Sequence, residues 1–190
     1  MLEVRTAALH LLEQQATVGN IDLFYGDETG VSESGYVPYG WQFKDEEVCI
    51  KAIHGKRLNC FGLYTKDNRL LYKTTTANIN ADFVFNFLEE LSEKIDKQTV
   101  IVLDNASVHT ARKIKERLDY WQEKGLYIFY LPPYSPHLNI AERLWKELKG
   151  RWLKPQDYDT FDTLCSAVDK CLEQVGSKYK INFTKTNNDK

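Results

Sequence analysis

Three acidic residues stand where chemistry could use them. Asp27 closes a strand-like apolar run, Ile21-Asp22-Leu23-Phe24-Tyr25-Gly26, and Asp104 closes another, Val100-Ile101-Val102-Leu103. Glu142 lies about one turn into a helical stretch entered through Leu131-Pro132-Pro133-Tyr134-Ser135-Pro136-His137. A hard divalent cation such as Mg²⁺ selects carboxylate oxygens and keeps several of its waters. Two such ions roughly 4 Å apart can clamp an in-line displacement at phosphorus, one activating the attacking oxygen and the other steadying the leaving oxygen. That chemistry needs acids converging from different elements, and Asp27, Asp104 and Glu142 are on three of them.

Each acid alone also has an ordinary reading. Asp27, followed by Glu28-Thr29-Gly30, could form a turn by bonding nearby backbone N–H groups. Glu28 points to the opposite face of its strand, so the two neighbouring acids are not equivalent. Asp104 could cap the helix that follows, although Asn105 and Ser107 can do the same and would leave Asp104 for other work. Glu142 precedes Lys146 by four residues, a surface pair worth about 0.2–0.5 kcal/mol. It nevertheless borders the apolar stripe Leu138, Ala141, Leu144, Trp145, Leu148 and Trp152. His109 reads either as a partner near the acids or as a structural histidine, and Asn139 as an N-cap or near-cap residue. Pro132, Pro133 and Pro136 stiffen the backbone and so aim Glu142. Tyr39 and Trp41 lie in a glycine-bounded loop and read as core packing or as stacking surfaces for bases. P-loop, dinucleotide, G-x-S-x-G and H-E-x-x-H motifs are absent from the chain.

The elements that must position these residues follow from periodicity and breakers. A helix is expected over 2–16 and a strand over 21–28. Short strands follow over 48–53, 58–64 and 70–75, with turns at Gly55 and Asp67-Asn68. Phe83, Phe87, Leu88, Leu91 and Ile95 recur at helical spacing and predict a helix over 80–96. The continuous apolar run 99–103 predicts a strand buried on both faces. Helices are expected over 108–123, 138–153 and 160–175, with a strand over 126–131 and a polar tail over 185–190. A meander of strands followed by right-handed crossovers makes an α/β fold, a mixed sheet with helices on its faces. Sites in such sheets gather at strand ends.

A chain of 190 residues with 43% hydrophobic content, nine Phe, eleven Tyr and four Trp fits one domain with a substantial core. No apolar run approaches the roughly 20 residues of a membrane helix, and Met1-Leu2-Glu3-Val4-Arg5 lacks the features of a signal peptide. The default expectation is a cytoplasmic protein without membrane partners. Cys49, Cys60, Cys165 and Cys171 have no zinc-site spacing and read as small hydrophobes. The net charge of −2 is unevenly spread: residues 1–104 carry 10 basic and 16 acidic groups, residues 105–156 carry 10 and 5. The basic excess therefore accompanies Glu142, where it can hold a polyanion near the carboxylates or simply form a solvated helix face. Lys146, Lys149 and Arg151, on or beside the Glu142 helix, are the best candidates for touching such a polyanion.

The string Leu103-Asp104-Asn105-Ala106-Ser107-Val108-His109, with Leu131-Pro132-Pro133-Tyr134-Ser135-Pro136-His137-Leu138-Asn139 and then Glu142 and Trp145, resembles the catalytic domain of DDE transposases. It looks most like the mariner superfamily and its bacterial insertion-sequence branch, and Asp27-Glu28-Thr29-Gly30 resembles that family's first catalytic segment. The resemblance implies an RNase H-like fold with a mixed five-stranded sheet flanked by helices. It implies a nuclease and strand transferase dependent on Mg²⁺ or Mn²⁺, two ions held by Asp27, Asp104 and Glu142. Asn105, His109 and Asn139 would support the site or touch DNA. Water would first attack a phosphodiester at the element end, and the freed 3′-hydroxyl would then attack target double-stranded DNA, with a homodimer assembled on the DNA. The expected layout is a helix and linker over 1–19, the catalytic domain over 20–155, and a C-terminal helix and tail over 156–190 packed on the same domain. Ile140 stands where the family usually has proline. Only about 26 residues precede Asp27, too few for the helix-turn-helix modules such transposases carry. The expectation is a catalytic half whose DNA-reading portion comes from a separate or fused frame; the alternative is a non-catalytic remnant that binds DNA or full-length transposase.

Overall fold

The computed structural model describes residues 2–34 and 55–183. The expected strand over 48–53, Cys49, Tyr39 and Trp41 lie outside the described residues. Five strands form one sheet: β1 (Asp22–Ser32), β2 (Arg57–Tyr64), β3 (Leu70–Thr75), β4 (Thr99–Leu103) and β5 (Leu126–Tyr130). Their order is β3-β2-β1-β4-β5. β1–β2 and β2–β3 pair antiparallel, while β1–β4 and β4–β5 pair parallel. This is the meander followed by crossovers that the sequence predicts. β4 is buried at every residue, as its unbroken apolar run requires.

Alternation along the strands sends side chains to two cores. Leu23, Tyr25, Val100 and Val102 face one side, under α1 (Leu2–Thr17), α5 (Ala141–Glu147) and α6 (Phe161–Glu173). Phe24, Phe61, Ile101 and Leu103 face the other, under α2 (Ala81–Ser92), α3 (Arg112–Lys115) and α4 (Leu118–Glu123). Asn80 caps α2 by accepting from Phe83 N at 2.9 Å, and Thr160 caps α6 from Thr163 N at 3.2 Å. Among the described residues no helix is long and apolar enough to cross a membrane.

Two expected helices are broken, and both breaks serve the end of the sheet where the acids lie. The stretch expected as one helix over 108–123 begins as a turn, with His109 N and Thr110 N both folding back on Ala106 O, before α3 and α4. The stretch over 138–153 divides into a 3₁₀ turn (Pro136–Leu138), α5, and a π-helical turn (Leu148–Trp152). Any helical hydrogen bond given up at the break costs about 1 kcal/mol net. Seating Leu144, Trp145 and Leu148 in the core contributes roughly 1.5–3 kcal/mol each, so packing decides the geometry.

Candidate metal centre

The sheet register brings the first two acids together. Asp22 pairs with Thr99 and Tyr25 with Val102; continuing that parallel register by two residues sets Asp27 beside Asp104. α5 crosses the same end of the sheet. Its Trp145 ring lies over Gly62, where an added Cβ would come within 2.8 Å of the indole. Gly62 is the antiparallel partner of Asp27. Glu142, one turn before Trp145, is thereby carried over β1.

The proline-rich connection is tied down at both ends. Leu131 N donates to Leu103 O at 2.8 Å, and Asn105 Nδ2 donates to Leu131 O at 2.6 Å. At the far end Asn139 is buried; its Nδ2 donates to Gly26 O at 3.0 Å, and its Oδ1 accepts from Ala141 N at 3.1 Å. Asn139 therefore does more than begin a helix: it fastens α5 to the residue before Asp27. Ile140, in place of the family's usual proline, leaves this arrangement intact. Gly26 is itself tightly enclosed, since a Cβ there would meet Leu103 Cδ2 at 2.5 Å and Leu63 Cδ2 at 2.9 Å.

Asp27, Asp104 and Glu142 line one cavity of about 430 Å³, with Asn105 and Asn139 in its wall. A second cleft of about 250 Å³ continues from Asp27 and Glu142 to Lys146 and Lys149. Tyr134 stands at the rim, fully exposed and with a φ of 57°. Arg151 lines neither cleft; its Nη1 meets Glu147 Oε2 at 3.2 Å.

The electrostatics distinguish the acids. Burial first, then the charge of Glu28, with Glu142 and Asp104 adding, pushes the Asp27 carboxyl up to about 7, against a backbone hydrogen bond acting the other way. Asp104 goes the opposite way: a hydrogen bond from His109 holds it below the usual carboxylate range, although partial burial opposes this. Its Oδ1 accepts from His109 Nδ1 at 2.7 Å and from Ala106 N at 2.9 Å. Asp104 thus caps its own turn, the ordinary role its sequence position also allowed.

His109 is wholly buried in that turn instead of standing on a helix. Its Nε2 lies 3.1 Å from Glu28 Oε2, in ionic contact but turned off the hydrogen-bond line, so both atoms lack a hydrogen-bond partner among the described residues. Burial pulls the imidazole down; Asp104 and Glu28 outweigh it and push it up to about 9. Glu28 is the participant that sequence reasoning set aside. Its strand parity does send it to the other face from Asp27, but His109 is there to meet it.

In donor chemistry the cavity suits a hard divalent cation: three acids line it, and burial together with the neighbouring acids raises the Asp27 carboxyl. Among the described residues no group of three His, Cys, Asp or Glu side chains already stands close enough to hold an ion.

A mixed sheet of this order flanked by helices is the RNase H-like fold, here with one acid midway along β1, one just after β4 and one on a helix laid across them. The chain belongs to the family described as DDE superfamily endonuclease, whose profile it matches over residues 22–165. The Mos1 strand transfer complex superposes with a TM-score of 0.65 at 17% identity, over 90% of this chain and 53% of that one. The catalytic domain of Mos1 mariner transposase gives 0.59 at 16%, over 90% of this chain and 80% of that one. The catalytic core domain of BIV integrase gives 0.51 at 16%, over 84% and 86%. Uncharacterized protein y4pE/y4sA of Sinorhizobium fredii (strain NBRC 101917 / NGR234) is 28% identical over 93 residues, 46% of this chain and 64% of that protein. The chain therefore spans less than two thirds of that relative and about half of the full Mos1 chain. The expected DDE resemblance is borne out as family, and the mariner likeness as fold.

Proposed function

We propose that this chain is the catalytic domain of an insertion-sequence transposase, cutting double-stranded DNA and joining the freed 3′-hydroxyl to target DNA as part of a homodimer. The observation that carries the reading is the convergence of Asp27, Asp104 and Glu142 on one cavity that opens beside Lys146 and Lys149. These three carboxylates would hold Mg²⁺ or Mn²⁺. When bound, the metal would activate the attacking oxygen and stabilise charge on the leaving oxygen.

The chain's own groups supply the rest. Asn139 and the proline turn hold Glu142 over β1, on the wall of the cavity that Asp27 and Asp104 also line. Lys146 and Lys149 flank the acids along the second cleft and attract the phosphate backbone. The exposed Tyr134 ring at the rim offers a stacking face for a base beside the reacting phosphate.

The test is nicking of supercoiled plasmid by the purified chain in Mn²⁺, beside Asp27→Asn, Asp104→Asn and Glu142→Gln. Nicking that disappears in all three variants supports the reading. Nicking that survives them overturns the assignment of the acids. Absence of nicking in the unsubstituted chain favours the non-catalytic remnant.

A further inference from the structure

Asp104 does not meet its cavity with both oxygens available. Oδ1 already accepts two hydrogen bonds, from His109 Nδ1 at 2.7 Å and Ala106 N at 2.9 Å. The half-exposed carboxylate is left with Oδ2 as the oxygen it can offer. The orientation of the group therefore depends on what holds the imidazole.

His109 is gripped from several sides. Its ring is fully buried and packs against Phe61, with centroids 6.0 Å apart. Its carbonyl accepts from Tyr130 Oη at 2.9 Å, which ties the turn to β5. The far ring nitrogen, Nε2, faces Glu28 Oε2 at 3.1 Å. Glu28 rises from β1 immediately after Asp27 and reaches the imidazole from the opposite face of the sheet. A buried imidazole between two carboxylates is costly unless it has work to do, because charge leaves water at a cost of several kcal/mol per ion. Packing alone would be served by an apolar residue. Imidazoles and carboxylates behind a ligand fix its orientation and basicity.

We infer that Glu28 is a positioning residue acting through His109: it anchors the imidazole, the imidazole holds Asp104 Oδ1, and Asp104 is presented to the metal through Oδ2 alone. The inference rests on the reading of the cavity as a divalent-metal site. Glu28 and Asp27, adjacent in sequence, then serve the same centre from opposite faces of β1, one directly and one through a relay.

The experiment is Mn²⁺ titration by calorimetry of the metal-free chain, with the thermal midpoint recorded for each variant. Glu28→Ala and His109→Ala are expected to weaken Mn²⁺ binding by about 10–100-fold. His109→Asn keeps a donor near the position of Nδ1 but cannot reach Glu28. It is expected to restore most of the affinity, and Glu28→Ala added to it is expected to change little further. If His109→Ala does not fold, His109→Asn and Glu28→Gln carry the comparison. Lowered midpoints with Mn²⁺ affinity unchanged would overturn the inference in favour of a purely structural histidine. Glu28→Ala weakening binding equally in the His109→Asn background would overturn the relay and make Glu28 a direct ligand. Mn²⁺ binding that is absent, or indifferent to Asp27→Asn, would sink the metal reading itself and the inference with it.

Discussion

Glu89 and Asp27 are carboxylates on the same scaffold in opposite surroundings. On the α2–α4 flank Glu89 receives both arms of Arg117, one of them Nε at 3.1 Å, and Trp121 Nε1 at 2.8 Å. Glu93 beside it meets Lys124 at 3.1 Å and Tyr120 Oη at 3.0 Å, and Glu90 meets Lys73 at 2.6 Å. Arg117 foremost, against some burial, holds Glu89 below the usual range. Midway along β1 and beside the end of β4, burial foremost and then the charges of other acids push the Asp27 carboxyl up to about 7. An acid packed among bases has its counter-charge within the fold. An acid packed among acids is complete only when a cation comes from outside. On the metal reading proposed above, the fold carries its cation requirement at one end of the sheet, at a cost to its own stability there.

The largest expected effect separates the regions by activity. Asp104→Asn is expected to lower Mn²⁺-dependent nicking by about 100-fold or more, since metal-borne charge stabilisation is worth several kcal/mol. Glu89→Gln is expected to leave nicking within a few-fold of the unsubstituted chain; a comparable loss would break the comparison. Next comes stabilisation by the ion. At pH 8, Mn²⁺ at about 100 times its dissociation constant is expected to raise folding stability by about 2.7 kcal/mol. Asp27→Asn should lose most of that gain and Glu89→Gln should keep it, as thermal melts with and without Mn²⁺ would show.

The two regions also respond to pH with opposite sign. Asp27 is raised from 3.8 to about 7, so its contribution in the metal-free chain is most favourable below about 4 and declines as pH rises through 7. Asp27→Asn is therefore expected to stabilise the metal-free chain at pH 8 by about 1–3 kcal/mol and to do little at pH 4, measured by urea denaturation across pH. Glu89 is lowered from 4.5; its contribution is present above that value and is lost as pH falls, so Glu89→Gln should destabilise at pH 7 and converge with the parent in acid. The same sign for both variants would remove the distinction. The smallest effect belongs to the exposed rim: Arg112, 90% exposed and paired with Glu116 four residues on, should be replaceable by Ala with midpoint and nicking unchanged.

Much of the fold was legible because its signals are local. The apolar run 99–103 is strand β4 residue for residue, and 70–75 is β3. The helix breaks were not legible, because their causes are distant. Asn139 looks like a cap until Gly26 O, 113 residues away, takes its amide. Residues 108–110 look helical until His109 is drawn to Asp104 and Glu28. The adjacent acids Asp27-Glu28 were a signal for the fourth carboxylate, but strand parity argued against it, and parity is blind to a partner waiting on the other face.

By itself the sequence determined the element types, the central buried strand, the stiff proline entry to the third acid and the family resemblance. All of these depend on residue identity and short-range periodicity. Tertiary structure alone decided which carboxylates share a cavity, which oxygen of Asp104 remains to be offered, and which acids meet bases and which meet acids. Those outcomes depend on strand register, on the glycine gaps at Gly26 and Gly62 that let side chains close in, and on hydrogen bonds between residues far apart in the chain. Energies at a site are set by distance and burial, and neither is a property of a residue until the chain has folded around it.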